Sequence, residues 1–197
     1  MFGSIYDTNT ASLVSCLKLC LENDACVTFF YNSITGQCIM HSKSFLFLTP
    51  LQSGPGWRNY VTHDANGKCP EFALLHRGLN FCYSVSQAAM INYANLKQTC
   101  ATLNGILVSV KSQEKQDYLE HILADRPVER VCIDGTKQFG GIWKFDDGTT
   151  LTYFNWDVTQ PDDFRQLCLE IFTQNKWFDV ECIRSDPCIF ICEFKMV

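Results

Sequence analysis

Apolar positions recur at helical spacing early in the chain. Leu13, Cys16, Leu17, Cys20 and Leu21 follow the i, i+3, i+4 rule, and Ser12 stands before them as an N-cap, so a helix is predicted over 12–23. Cys16 and Cys20 are one turn apart and leave the same helix face. The pattern then turns β-branched and aromatic over 26–31, breaks at 32–36 and resumes at 37–40, which predicts a hairpin. Further on, Ala88, Ala89, Ile91, Tyr93 and Leu96 predict a helix over 86–99. Asn104-Gly105 marks a turn, residues 106–110 a short buried strand, and Ser112 caps a helix over 113–124 with Glu114 in its first turn. Beyond Pro127 the apolar runs shorten. Strands are predicted at 130–134, 140–145, 151–154, 167–173, 176–181 and 188–194, with a hairpin turn at Asp146-Asp147-Gly148.

These elements fall into two groups, and the cysteines divide the same way. Cys16, Cys20, Cys26 and Cys38 cluster near the start, and the other eight run from Cys69 to Cys192. Between them lie Gly54-Pro55-Gly56 and the polar stretch 62–68. A first module over 1–62, a linker at 63–68 and a second domain over 69–197 are therefore expected. A first core this small needs staples, and four cysteines allow three pairings, of which the nested one, Cys16–Cys38 with Cys20–Cys26, is preferred.

The count of 12 cysteines, with no C-x-x-C pair and four scattered histidines, reads as six disulfides in an oxidising compartment rather than as zinc sites. The protein is therefore expected to be extracellular and secreted. The opening Met1-Phe2-Gly3-Ser4 has neither a basic nor an apolar run, which implies that a signal peptide is missing from this version of the chain or that the start lies upstream. Among 197 residues, 47% are hydrophobic, enough for packed cores, yet the longest apolar runs, such as 45–48, are far below the ~20 residues a membrane helix needs. The short apolar runs argue against membrane insertion, and a net charge of −5 with no basic stripe argues against nucleic acid and an anionic membrane surface.

Several motifs, in order, carry a family resemblance. Cys69-Pro70 and Cys82-Tyr83 come first, then Cys100 and Gly105-Ile106-Leu107-Val108-Ser109-Val110. Trp143, Asp147-Gly148-Thr149, Leu151-Thr152-Tyr153 and Asn155-Trp156 follow. Last are Gln160-Pro161-Asp162, Cys168, Trp177, Cys182 and Phe190-Ile191-Cys192-Glu193. This segment resembles a C-type lectin-like domain in its long form. The segment before Lys68, with its four cysteines and Val27-Thr28-Phe29-Phe30-Tyr31, resembles a PAN (apple-like) module of the kind found ahead of lectin domains in nematode secreted lectins. The resemblance implies an α+β fold: two helices, antiparallel sheets and long loops in the lectin domain, preceded by a small helix-plus-hairpin module. It implies the bridges Cys69–Cys82, Cys100–Cys192 and Cys168–Cys182. Cys132 and Cys188 are left, and pair by elimination, with a free reactive thiol pair as the rival reading.

In calcium-dependent members of that family, a Glu/Gln-Pro-Asn/Asp loop, a nearby Glu and an Asn-Asp pair after a Trp hold the ion, and the ion holds sugar hydroxyls. Here the resemblance assigns Gln160, Asp162, Gln166, Phe178 and Asp179 to those positions, in the galactose-type order, with the loop proline in cis. Gln166 stands for the expected Glu and Phe178 for the expected Asn, so the acidic set is depleted. Weak calcium binding at Gln160, Asp162 and Asp179, or none, is expected. The plainer reading of Gln160-Pro161-Asp162 is a loop turn, and Asp179 can serve as a local cap or ion pair. Trp143, Trp156 and Trp177 are read as core rather than as sugar platforms. Alternation turns Phe178 away from Trp177, and a surface Phe there would suit a protein ligand.

The sequence has no G-x-S-x-G, H-E-x-x-H, P-loop or dinucleotide fingerprint, and the adjacent pairs Asp146-Asp147 and Asp162-Asp163 point to opposite sides of an extended chain. A non-catalytic recognition protein is expected, with a glycan or glycoprotein as partner. The alternative is a calcium-independent protein-binding module.

Overall fold

A computed structural model describes residues 4–43, 54–62, 69–124, 130–163 and 165–196. The expected linker 63–68 lies outside the described residues. The chain forms two compact units, 1–82 with 195–197, and 83–194.

In the first unit, β1 (Ser4–Asn9), α1 (Leu13–Glu22), β2 (Thr28–Asn32), β3 (Gln37–His41) and β4 (Trp57–Val61) follow in order. The four strands make an antiparallel sheet in the order β1-β3-β2-β4. The expected helix and hairpin are present, and β1 and β4 extend them into a sheet. Ser12 caps α1, its hydroxyl accepting the Ser15 N–H at 3.2 Å. Both expected bridges form, Cys16–Cys38 and Cys20–Cys26. They tie the buried face of α1 to Phe29 and Met40, and Phe29 stacks on Tyr60 at 5.1 Å. The predicted helix stripe is narrower than its spacing implied: Leu17 and Leu21 are exposed.

The first unit also holds β5 (Leu74–His76), the Cys69–Cys82 bridge and the start of β6 (Phe81–Val85). Arg77 clasps this stretch to the end of α1. One guanidinium nitrogen donates to the carbonyls of Cys20, Asn23 and Cys26 at 2.5, 2.7 and 2.9 Å. The last carbonyls of a helix lack intrahelical partners and carry the negative end of its dipole, so a cation is favourable there.

The second unit contains β7 (Ala89–Asn92), α2 (Tyr93–Thr102), β8 (Gly105–Leu107), α3 (Gln113–Leu123), β9 (Val131–Thr136), β10 (Cys168–Ile171), β11 (Trp177–Val180) and β12 (Ile183–Phe194). Its sheet runs β11-β10-β9-β12-β6, and β7 and β8 pair with β12 off that path. All the registered pairings are antiparallel except β9 with β12. Its three bridges are Cys100–Cys192, Cys132–Cys188 and Cys168–Cys182, and no cysteine is free.

Three predicted elements change. The helix predicted over 86–99 starts at Tyr93, because residues 89–92 pair with β12 and Asn92 caps the helix by accepting the Asn95 N–H. The strand predicted at 140–145 shrinks to the isolated pairings of Lys144 with Thr136 and with Thr150, and residues 151–154 form no strand. The turn at Asp146-Asp147-Gly148 forms as expected, with Gly148 at φ 82° and a Phe145 N–H to Thr149 carbonyl bond of 2.9 Å.

Candidate functional site

The site is built where β9 leaves the sheet and the chain returns, some thirty residues later, as β10. β9 carries a bulge. Ile133 faces Leu169 but Thr136 faces Cys168, so Asp134 and Gly135 are inserted into the ladder. Gly135 has φ 151°, and a Cβ there would lie 2.3 Å from a Leu169 methyl, so no side chain fits. A bulge re-aims the residues that follow it. Here it carries the strand into Lys137, whose N–H bonds the Leu167 carbonyl at 3.1 Å.

The other wall is β11. Trp177 is fully buried and, by the alternation of a strand, Asp179 lies on the same face and Phe178 on the other. The segment around Trp156 runs beside Trp177: the Trp177 N–H bonds the Asn155 carbonyl and the Asp157 N–H bonds the Trp177 carbonyl. This delivers the next loop, with its cis Gln160–Pro161 bond, to Asp179.

Asp179 is the hub. Its backbone N–H donates to the Gln160 side-chain oxygen at 3.1 Å. Its carboxylate accepts the Asp162 N–H at 3.0 Å and faces the Lys137 ammonium at 3.4 Å. Gln166, with its amide nitrogen turned toward the acceptors, donates to the carboxylates of Asp162 and Asp179, both at 3.2 Å, and to the Asp179 carbonyl. The Lys137 ammonium also lies 4.5 Å from the centre of the Trp143 ring, a cation–π distance.

Four of the five residues expected at the site, Gln160, Asp162, Gln166 and Asp179, are therefore brought together. Phe178 is not among them. It lies half-buried opposite Glu170 and edge-on to Phe172 at 6.0 Å, where the Arg130 guanidinium covers the Phe172 ring. Glu170 is buried and paired with Arg130, and burial raises its pKa despite that partner. Of the tryptophans, Trp143 and Trp177 are core residues, as expected, and Trp156 is half-buried between Phe154 and Trp177.

These atoms, as arranged, do not form a calcium set. Calcium takes six to eight oxygens. The Gln160 oxygen is committed to an N–H, Gln166 presents its N–H groups, and both sides of the Asp179 carboxylate are engaged. Of the four, only Asp162 is an exposed residue, and among the described residues no group of three or more His, Cys, Asp or Glu is placed to hold a metal.

Three contributors escaped sequence reasoning. Lys137 is one. Gln116 on α3 is another: it accepts the Trp177 indole N–H at 2.9 Å and donates to the Asn175 carbonyl at 3.0 Å, fixing the start of β11. The third is Asp134, buried in the bulge, which accepts the Asp146 N–H at 3.0 Å and lies 3.7 Å from Lys97. Burial, with the Asp146 charge alongside, pushes its carboxyl up to about 6. Lys97 and Asp146 line a cleft of about 240 Å³ between α2 and β8.

Comparison with known proteins places this architecture. Residues 89–194 match the family model described as the Lectin C-type domain, and residues 3–66 match the PAN domain. Asialoglycoprotein receptor 2 of Mus musculus is 31% identical over 121 residues, covering 57% of this chain and 38% of that protein. The galactose-specific lectin nattectin of Thalassophryne nattereri is 28% identical over 127 residues, covering 63% of this chain and 76% of nattectin. Among solved structures, the carbohydrate-recognition domain of mouse scavenger receptor C-type lectin superposes with a TM-score of 0.56 at 26% identity, covering 66% of this chain and 98% of that one. A calcium-independent type II antifreeze protein superposes at 0.55 and 26%, covering 66% and 95%.

Proposed function

Since this chain belongs to the C-type lectin domain family and carries a PAN domain ahead of its lectin domain, we propose that it is an extracellular, non-catalytic recognition protein that binds carbohydrate with weak or absent calcium dependence. The supporting observation is the clasped loop. Gln160, Asp162 and Gln166 are held on Asp179 by hydrogen bonds that require no added ion, so a polar surface is formed in advance of ligand. Preorganised donors and acceptors lose little entropy on binding. The exposed Asp162 and the half-buried Gln160 and Gln166 supply, through the carboxylate and amide atoms not engaged in the clasp, acceptors and donors for sugar hydroxyls. A galactose-terminated glycan is the first class to test, because the loop has the galactose-type order and relatives include a lectin named galactose-specific.

We read the modules as 1–62 and 69–197, joined by 63–68. Family matches ending at 66 and beginning at 89 support that reading. The six bridges, which persist in oxidising compartments, support reading the protein as secreted. The PAN module supplies a second contact surface, and tethering gains avidity when both modules reach their ligands together.

A glycan array probed with the oxidised full chain tests this reading. Binding to a defined glycan class, weakened about tenfold by Asp162→Ala, is expected. Binding to no glycan, or binding indifferent to Asp162, would place recognition elsewhere.

A further inference from the structure

We propose that Lys137 is the built-in cation of this site: its ammonium takes the charge-balancing place that a metal ion holds in calcium-dependent relatives, so the recognition loop is folded without calcium. The proposal rests on reading this loop as the recognition surface, but its tests do not depend on finding a glycan.

The Asp179 side chain has no exposed surface and that of Lys137 is 10% exposed. A buried carboxylate is strongly disfavoured unless it is paired and hydrogen-bonded. Asp179 meets both conditions from within the chain. One oxygen takes the Asp162 N–H and the other takes the Lys137 ammonium at 3.4 Å. The ammonium also lies 4.5 Å from the centre of the Trp143 ring, and the Lys137 N–H bonds the Leu167 carbonyl. The Gly135 bulge puts the lysine there, since without the two inserted residues position 137 would lie two residues farther along the strand, past Leu167. The loop is drawn to the same carboxylate through Asp162 and Gln166. In a metal site these side chains would point oxygens at the ion. Here the Asp162 backbone and the Gln166 side chain point N–H groups at Asp179, the complement expected when the positive charge belongs to the protein. An entering divalent ion would have to expel a cation that is covalently tethered at its position, and tethering gives that cation a high effective concentration.

Melting temperature and calcium calorimetry on the oxidised full chain test this. The wild type is expected to melt at the same temperature in chelator and in millimolar calcium, and to give no saturating heat. Lys137→Met strands the buried Asp179 charge and is expected to lower the Tm by roughly 5–10 °C. Adding Asp179→Asn to Lys137→Met removes the stranded charge and is expected to recover most of that loss, and this double variant decides the matter even if the single one does not fold. Lys137→Glu is expected to melt low in chelator and to rise with calcium. A saturating calcium heat with a rise in Tm in the wild type, or additive effects of the two substitutions, would overturn the proposal. A glycan array with no binding would remove the recognition reading and leave these results unchanged.

Discussion

Gln116 and Trp177, 61 positions apart, meet inside the lectin domain: the indole N–H donates to the Gln116 side-chain oxygen at 2.9 Å, and both residues are fully buried. The same amide donates to the Asn175 carbonyl at 3.0 Å. A helix side chain thus sets the start of β11, and Asp179 follows two residues later on the same face. Gln116→Leu leaves the buried Trp177 indole N–H without a partner and the Asn175 carbonyl with only the Asn155 amide as side-chain donor. It is expected to cost about 2–4 kcal/mol in urea unfolding, and to weaken glycan binding through the displaced Asp179. Gln116→Glu keeps an acceptor for the indole but loses the donor to Asn175, and is expected to fall between wild type and Leu.

The Arg77 clasp explains why residues 69–82 group with the first unit although the PAN match ends at 66. Arg77→Ala removes a charged donor from the carbonyls of Cys20 and Asn23 at the end of α1 and of Cys26 just beyond it, and is expected to cost about 2 kcal/mol. Arg77→Lys is expected to recover little of it, since an ammonium lacks the planar fork. Hydrogen exchange of the α1 amides in the full chain reads this directly: protection falls in both variants while that of α3 is unchanged.

Asp134 gives the lectin domain a pH dependence of defined sign. Its carboxyl titrates at about 6 in the folded chain, against about 3.9 when unfolded, because burial and the neighbouring Asp146 outweigh Lys97. Between those values the folded state binds the extra proton. Its contribution is therefore complete below the unfolded value and is lost as pH rises through about 6. Unfolding measured from pH 4 to 7 is expected to show a loss on the order of 2 kcal/mol from this group. Asp134→Asn, which keeps an oxygen for the Asp146 N–H, is expected to flatten that slope.

The Cys132–Cys188 bridge joins β9 to β12 beside their parallel pairing. Its partners are 56 residues apart, so the chain-entropy estimate for losing it is about 4 kcal/mol. A Cys132→Ala, Cys188→Ala double variant is expected to lower the Tm accordingly, and a thiol assay on the unreduced wild type to find no free thiol.

Much of this architecture is legible in the sequence, because it depends on local signals. Ser12 and Ser112 cap the helices their positions predicted. The cysteine pattern and its family resemblance lead to all six bridges. What escapes depends on distant partners. β1 is an edge strand with almost every residue exposed, so it shows no apolar alternation. The start of α2 is displaced because Ser86 and residues 89–92 spend their hydrogen bonds on β12, a hundred residues later. At the site, the Gln160-Pro161-Asp162 loop and Asp179 are visible as a motif, whereas Lys137 lies 42 positions from its carboxylate behind a bulge that no pattern marks. Phe178 is the instructive case: strand alternation already separates it from Asp179, and the family position alone had joined them.

The most direct test is the affinity of the oxidised full chain for one array-selected glycan, measured in millimolar calcium and again in chelator. A dissociation constant unchanged within about twofold is the expected result, since the loop is held by Lys137 and Asp179 rather than by an ion. Binding that disappears in chelator and returns with calcium would contradict the account.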